Sequence, residues 1–392
     1  MFAIFIAFAL FICLTVPAFA EEAENKAVLT VNTDAQISVA AKAYALIDSN
    51  TGTLLAAKNE NEKLYPASVT KIMTLLLVCD AIDAGKLSFD EVITCSDTAA
   101  AKGGSQIWLE PGEQMTVNDL LKASFVYSAN DASTLLGEQV AGSEEAFVQL
   151  MNAKAQELGM VNTHFDNCTG LDDDTDTHLT TAYDIALMSR ELMKKDYIRN
   201  YTTIWMDTLR NGETQLVNTN KLVRYYQGAT GLKTGTTSKA GCCVSATAER
   251  DGLGLIAVVL GADNSNERFN GAKKLLDYGF ANYEIFTPEA DISQLYEIKV
   301  VHGTSQSVMP EVSGGECVLV NKGASSGITQ KITLAESLEA PVEKGSRVGT
   351  VDFYSGDEKI AETDIIASCS VEKMTAAKAF IMIFKSVSVK NK

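Results

Sequence analysis

Hydrophobic and polar positions between residues 41 and 288 predict an α/β domain. Residues 43–47 alternate in polarity and a turn-forming run follows at 49–52, which indicates a β-hairpin. Apolar residues then recur with helical spacing in four segments, at 118–128, 131–141, 144–158 and 181–195. Strand-like runs return at 241–248 and 253–262. Because strands enclose the helices, the sheet is expected to combine distant parts of the chain.

The pattern changes after residue 288. Short alternating runs, divided by glycine-containing turns, occupy 296–301, 317–320, 332–334, 348–353 and 359–362. Such runs are typical of a small β structure. Residues 289–369 are therefore expected to form a second, all-β domain.

The amino-terminal segment is typical of a signal peptide. An apolar run at 2–16 is followed by Pro17 and a small-residue end at Ala20. We expect residues 1–20 to be removed, residues 21–40 to be a linker, and the protein to be exported beyond the cytoplasm. An uncleaved anchor and a wrongly placed start codon are the alternatives.

The tail at 370–392 combines an apolar stretch with positive charge. From residue 372 onward it has five lysines against one glutamate. At about 1.5 Å per residue, the apolar stretch 374–384 is far too short to cross a bilayer core of roughly 30 Å. An amphipathic helix attached to the outer face of the cell membrane is predicted, with a helix packed on its own protein as the alternative.

Composition narrows the classes of partner. The chain of 392 residues is 46% hydrophobic and 21% charged, as in globular proteins, and its formal net charge is −17. Nucleic-acid binding needs a positive surface that neutralises phosphates, so we expect no nucleic-acid partner.

Neither cysteines nor carboxylates form a metal-binding pattern. The eight cysteines show no C-x-x-C spacing, so buried free thiols are expected rather than a zinc site. The acidic run 172–176 resembles the start of a calcium loop, but Thr177 and Tyr183 replace the glycine and glutamate that such a loop requires. We predict no metal and no cofactor.

Three short motifs carry the candidate chemistry. In chain order they are Ser68-x-x-Lys71, Ser128-Ala129-Asn130 and Lys233-Thr234-Gly235. Pro66 precedes a predicted buried helix that opens near Ser68, and residues three apart share a helix face, so the Lys71 amine can approach the Ser68 hydroxyl. A serine needs a base, and a lysine can serve when burial and a neighbouring positive charge, such as that of Lys233, lower its pKa.

Histidine chemistry is disfavoured. The three histidines, His164, His178 and His302, lie in no nucleophile context, and the chain has no G-x-S-x-G segment. A Ser-Lys mechanism is therefore the simpler interpretation.

The three motifs together resemble those of penicillin-binding proteins and class A β-lactamases. Their surroundings resemble the low-molecular-weight serine D-alanyl-D-alanine carboxypeptidases in particular, over roughly residues 40–388. The segments that carry this resemblance are 66–74, 127–132, 167–171, 231–237 and 275–280. It implies a penicillin-binding protein fold and removal of the terminal D-alanine from peptidoglycan stem peptides, with β-lactams as inhibitors.

The resemblance also implies roles for the motif residues. Ser68 would attack the penultimate D-alanine carbonyl, Lys71 would be the base, and Ser128 would relay the proton to the leaving amine. Asn130 would orient Lys71 and the substrate amide. The backbone N–H groups of Ser68 and Thr236 would form the oxyanion hole.

Substrate binding is implied for the third motif. Lys233 and Thr234 would hold the terminal carboxylate, and Gly235 would keep the strand open to the substrate backbone. Arg268 resembles a position near the carboxylate site, with a surface salt bridge as the alternative.

Three other functions stay open on the same residues. A serine β-lactamase needs a carboxylate base for fast deacylation, and no E-x-x-L-N segment follows Asn130. A D,D-endopeptidase would use identical motifs. A non-catalytic cell-wall scaffold would have no need of an activated serine.

Overall fold

The computed structural model describes residues 37–389. The predicted signal peptide at 1–20 and most of the predicted linker at 21–40 lie outside this range. The strands are β1 Ala43–Asp48, β2 Leu54–Lys58, β3 Val92–Thr94, β4 Gln114–Thr116, β5 Met206–Leu209, β6 Thr214–Val217, β7 Ala229–Thr237, β8 Gly241–Arg250, β9 Leu253–Ala262, β10 Tyr283–Phe286, β11 Ile298–Val301, β12 Ser307–Val308, β13 Pro310–Val312, β14 Val318–Asn321, β15 Ile328–Leu334, β16 Ser337–Glu339, β17 Arg347–Ser355 and β18 Glu358–Ala367.

The helices are α1 Lys71–Asp83, α2 Asp97–Ala100, α3 Val117–Lys122, α4 Asn130–Ala141, α5 Glu144–Glu157, α6 Ala182–Met193, α7 Arg199–Thr202, α8 Leu222–Tyr225, α9 Ser265–Asn282 and α10 Ala376–Val389. Helices α1 to α8 lie between β2 and β7 in the chain, with α3 to α7 in succession between β4 and β5. A 3-10 turn at Ala67–Thr70 precedes α1, and a π-helical turn at Ala123–Tyr127 follows α3.

A five-stranded antiparallel sheet in the order β2-β1-β9-β8-β7 forms the centre of the first domain. All ten residues of β9 are buried. Ile256 and Val258 belong to the cluster that includes α1, α4 and α6, whereas Leu255 and Val259 belong to the cluster with α9. Because both faces are covered, the strand is continuously apolar rather than alternating. Strand β7 lies at one edge, and no strand among residues 37–389 pairs with its outer side.

Helix starts agree with local capping. The Ser143 hydroxyl accepts from the backbone N–H of Ala146, which begins α5, and the Thr181 hydroxyl accepts from that of Asp184, which begins α6. The helix predicted at 118–128 is α-helical only to Lys122, because Ala123–Tyr127 form the π-helical turn.

The second part of the chain is rich in strands. Strands β13-β18-β17-β15 form one sheet and β12-β11-β16 another, around a core that includes Val300, Val351 and Ile365. Strand β10, directly after α9, pairs with β14. The predicted α/β domain followed by a β-rich domain is therefore confirmed.

Helix α10 follows this second part. Phe380, Ile381 and Met382 on α10 are exposed. Among the residues that the structure describes, no helix is both long enough and apolar enough to cross a membrane.

Candidate active site

Ser68 and Lys71 meet at the start of α1, as their spacing predicts. Ser68 lies in the 3-10 turn and Lys71 is the first residue of the helix. The Lys71 Nζ lies 3.0 Å from Ser68 Oγ and donates to the Thr169 carbonyl oxygen at 2.9 Å. The amine is therefore held against the hydroxyl by a backbone group almost a hundred residues later in the chain.

Burial sets the protonation of Lys71. The side chain is completely buried, and this desolvation lowers the pKa of Lys71 to about 7, against smaller opposing effects of Cys168 and Asp131. Burial also lowers the pKa of Lys233, and the positive charges of Lys71 and Arg268 lower it further. Burial and the charge of Lys233 were both expected to lower the pKa of Lys71, and burial is the cause that does so.

The second motif is placed by the turn that ends the π-helical segment. Ser128 adopts a left-handed conformation with φ of 68°, and α4 begins at Asn130. The Ser128 hydroxyl is buried and has no hydrogen-bond partner among the described residues. Asn130 Nδ2 donates to the Gly103 carbonyl oxygen at 2.6 Å, while its Oδ1 is buried without a partner in the described part of the chain. Polar atoms left in this state are available to a substrate.

The third motif lies on the edge strand β7. Lys233 and Thr234 are buried, and Thr234 Oγ1 donates to Thr219 Oγ1 at 2.8 Å. A Cβ added to Gly235 would lie 2.8 Å from the backbone nitrogen of Ser68 and 2.8 Å from the Pro66 carbonyl oxygen. Only glycine allows this strand to pass so close to the 3-10 turn at Ala67–Thr70, which we call the nucleophile turn because it holds Ser68.

Arg268 lies on α9 beside the same strand. Its guanidinium donates to the Gly235 carbonyl oxygen at 3.0 Å, to Thr236 Oγ1 at 3.1 Å and to the Cys243 carbonyl oxygen at 3.3 Å. The side chain is buried, and burial lowers its pKa. Arg268 therefore braces the catalytic strand from within the protein, and the surface salt bridge weighed for it is not what the structure shows.

Ser68 of the first motif, Asn130 of the second, and Thr236 and Thr237 directly after the third border one cleft of about 400 Å³. Its walls come from five separate parts of the chain, and the lining residues are Ser68, Gly104, Ser105, Gln106, Trp108, Tyr127, Asn130, Gly170, Leu171, Thr236 and Thr237.

Several of these neighbours escaped sequence reasoning. Gly170 has φ of 85°, and a Cβ there would lie 1.8 Å from the Ala67 carbonyl oxygen, so the 167–171 segment must pack directly on the nucleophile turn. His178, set aside with the other histidines, is buried below the same turn, where its Nε2 lies 2.8 Å from Thr70 Oγ1. The resemblance carried by segment 167–171 was the signal available for Gly170, and no signal pointed to His178.

The acidic run near the cleft has a structural connection. Asp172 is buried and accepts a hydrogen bond from Thr237 Oγ1 at 2.5 Å, and Asp176 pairs with Lys239. No group of three or more potential metal ligands occurs within the described residues.

The chain is similar to two known protein families and to several known enzymes. Residues 30–264 match the D-alanyl-D-alanine carboxypeptidase family, peptidase S11, and residues 283–373 match the C-terminal domain of penicillin-binding protein 5. The chain is 40% identical over 337 residues to the D-alanyl-D-alanine carboxypeptidase DacF of Bacillus subtilis, covering 85% of this chain and 86% of the relative. It is 36% identical to DacC of Escherichia coli, covering 86% and 85% respectively.

Solved structures give the same result. Penicillin-binding protein 5 from Haemophilus influenzae matches with a TM-score of 0.70 and 30% identity, over 86% of this chain and 99% of that chain. Penicillin-binding protein D2 from Listeria monocytogenes, in its ampicillin-bound form, matches with a TM-score of 0.57 and 33% identity, over 62% and 99%.

Proposed function

The chain belongs to the D-alanyl-D-alanine carboxypeptidase family, peptidase S11, and from this premise we propose which of its residues carry out the reaction. It is a serine-type carboxypeptidase that acts on peptidoglycan. The observation that carries the proposal is the 3.0 Å contact between Ser68 Oγ and the fully buried Lys71 amine.

Acylation begins with the neutral Lys71 amine. It takes the proton of the Ser68 hydroxyl while Ser68 Oγ forms a bond to the carbonyl carbon of the penultimate D-alanine. The negative charge on the carbonyl oxygen is stabilised by the backbone N–H groups of Ser68 and Thr236, for which the close approach of Gly235 to Ser68 is the support.

Breakdown of this intermediate releases the terminal D-alanine. The bond between the carbonyl carbon and the amide nitrogen breaks, and the Ser128 hydroxyl passes the proton from Lys71 to the leaving amine. Water then attacks the acyl ester, Ser68 Oγ leaves, and the serine regains its proton. The buried, unpartnered Ser128 hydroxyl supports this relay role.

Residues of the second and third motifs orient the substrate. Asn130 Oδ1, which lacks a protein partner in the described chain, accepts from a substrate amide, while its Nδ2 is held by Gly103. Lys233 and Thr234 hold the terminal carboxylate. Because that carboxylate supplies the missing counter-charge, its binding favours the charged form of Lys233.

A β-lactam is expected to acylate Ser68, and the resulting ester is expected to be hydrolysed slowly. None of the described residues that line the cleft is acidic, so the cleft offers no carboxylate base for fast hydrolysis of the ester. Rapid steady-state turnover of a penicillin would contradict this assignment and favour a β-lactamase.

The decisive test combines labelling and product release. The protein lacking residues 1–20 is incubated with a fluorescent penicillin, or with a pentapeptide ending in D-Ala-D-Ala, and the label is located by mass while free D-alanine is assayed. We expect the label on Ser68, D-alanine release, and loss of both in Ser68→Ala. Ser326→Ala, an exposed serine in the β-rich part, is the matched control. Label on another residue would refute the assignment.

Location and domain limits are also proposals. We infer export by residues 1–20, a linker at 21–40, a catalytic domain at 41–288, a β-rich domain at 289–369 and a membrane-associating tail at 370–392. The exposed apolar side chains of Phe380, Ile381 and Met382 support the proposal that the tail associates with a membrane. A chain ending at Thr375, just before α10, is expected to lose flotation with anionic liposomes, and equal flotation with and without α10 would refute attachment.

A further inference from the structure

Trp108 is an exposed aromatic side chain at the wall of the active-site cleft. Its side chain is 74% exposed, although tryptophan is usually largely buried. It lines the same cleft as Ser68, and Tyr127, 37% exposed, lines it too. An exposed aromatic pair that borders a catalytic cleft requires an explanation beyond packing.

The backbone around Trp108 is fixed from one side by a buried carboxylate. The neighbours Ile107 and Leu109 are both buried, and their backbone N–H groups each donate to Asp131 Oδ2 at 3.1 Å. Asp131 itself is completely buried and directly follows the motif residue Asn130. The position of Trp108 is thereby tied to the second catalytic motif.

Arg210 fixes the same loop from the other side. Its Nη1 donates to the Ile107 carbonyl oxygen at 2.8 Å, and its guanidinium forms two hydrogen bonds to the Glu113 carboxylate, at 2.7 and 3.0 Å. Trp108 has φ of 60°, a left-handed conformation that a bulky residue rarely adopts. Because both flanking side chains point into the core, this strained conformation holds the indole out of the core.

The reaction geometry determines which part of the substrate passes this aromatic wall. The penultimate carbonyl must lie at Ser68 and the terminal carboxylate at Lys233 and Thr234. The terminal D-Ala-D-Ala presents only two methyl groups, so the residue before it must occupy the remaining cleft. In a stem peptide that residue is a diamino acid with a long aliphatic side chain that ends in a polar group. Aromatic faces bind methylene chains and ammonium groups.

We propose that Trp108, with Tyr127, forms the binding subsite for the aliphatic side chain of the diamino acid that precedes D-Ala-D-Ala. This inference rests on the proposed function and adds to it a determinant of substrate choice. Trp108 is a binding residue here and takes no part in proton transfer.

The test compares two acylated tripeptides, one with lysine and one with alanine before D-Ala-D-Ala. For Trp108→Ala we expect kcat/KM to fall about tenfold for the lysine peptide and to stay within twofold for the alanine peptide. Trp108→Phe should retain most of the preference because it keeps an aromatic face. Tyr225→Ala, which removes an aromatic residue that is 64% exposed and does not line the cleft, is the matched control and should change neither value.

The other outcomes overturn the proposal. An equal loss on both peptides would mean that Trp108 only holds the loop, and no loss on either would mean that it does not touch the peptide. A loss seen only when the pentapeptide carries its disaccharide would assign Trp108 to the glycan. If the wild-type protein releases no D-alanine from either peptide, the proposed function itself fails.

Discussion

Replacing Lys71 with arginine tests the proposed general base. Arginine keeps the positive charge and the hydrogen-bond donors, but its pKa is above 12, so it cannot accept the Ser68 proton. The change therefore separates proton transfer from simple charge. We expect the acylation rate to fall by roughly 10² to 10⁴, the range typical of a lost general base.

The fraction of Lys71 that is neutral, and so able to act as a base, can be worked from the effect of burial on its pKa. An amine with the ordinary lysine pKa of 10.5 is about 0.03% neutral at pH 7. With its pKa lowered to about 7, Lys71 is about half neutral at that pH. The buried position thus raises the concentration of active base roughly a thousandfold.

Stopped-flow acylation by a fluorescent penicillin, from pH 5.5 to 9.5, measures this effect. The wild-type rate should rise about tenfold per pH unit below pH 7 and become constant above it. Lys71→Arg should lose this limb. Lys154→Arg, at a partly exposed lysine paired with Asp80 and Glu157, is the control. A wild-type rate that still rises about tenfold per pH unit up to pH 9.5, or a normal rate in Lys71→Arg, would refute the reasoning.

Two further predictions concern the turn that holds Ser68. Burial lowers the pKa of His178 to about 4, whereas the unfolded chain binds this proton near pH 6.5, so the free energy of unfolding should fall by about 3 kcal/mol as pH drops from 6.5 to 4. Urea denaturation should show that the free energy of unfolding of His178→Gln falls less over this pH range than that of the wild type. The same pH dependence in both proteins would contradict the proposed effect of His178. Gly235→Ala should lower kcat/KM by roughly 10² to 10³, because its Cβ would push the strand away from the backbone nitrogen of Ser68. Gly314→Ala, where a Cβ meets no atom within 4 Å, should be neutral, and an unaffected Gly235→Ala would refute the close-approach argument.

Local spacing made much of the site predictable. The three-residue separation of Ser68 and Lys71 places both on one face of a helical turn, which is where the structure has them. The helices predicted at 144–158 and 181–195 are present as Glu144–Glu157 and Ala182–Met193. These features depend on residues within about four positions of one another, and such residues can be identified from the sequence itself.

The strength of the base was decided by tertiary structure alone. The pKa of Lys71 is low because its side chain is completely buried, and the Thr169 carbonyl oxygen holds its amine. Desolvation depends on how distant segments pack, and no local pattern encodes it. The same holds for Arg268, whose role as a brace of the catalytic strand could not be read from its own neighbours.

The sequence by itself determined the class of chemistry, the α/β and β-rich parts and the order of the motifs. Tertiary structure decided which groups surround them: Gly170 against the nucleophile turn, and Trp108 at the cleft wall. The physical reason is that motif residues are specified by bonding along the chain, whereas burial, exposure and close approach arise only when segments far apart in sequence are packed together.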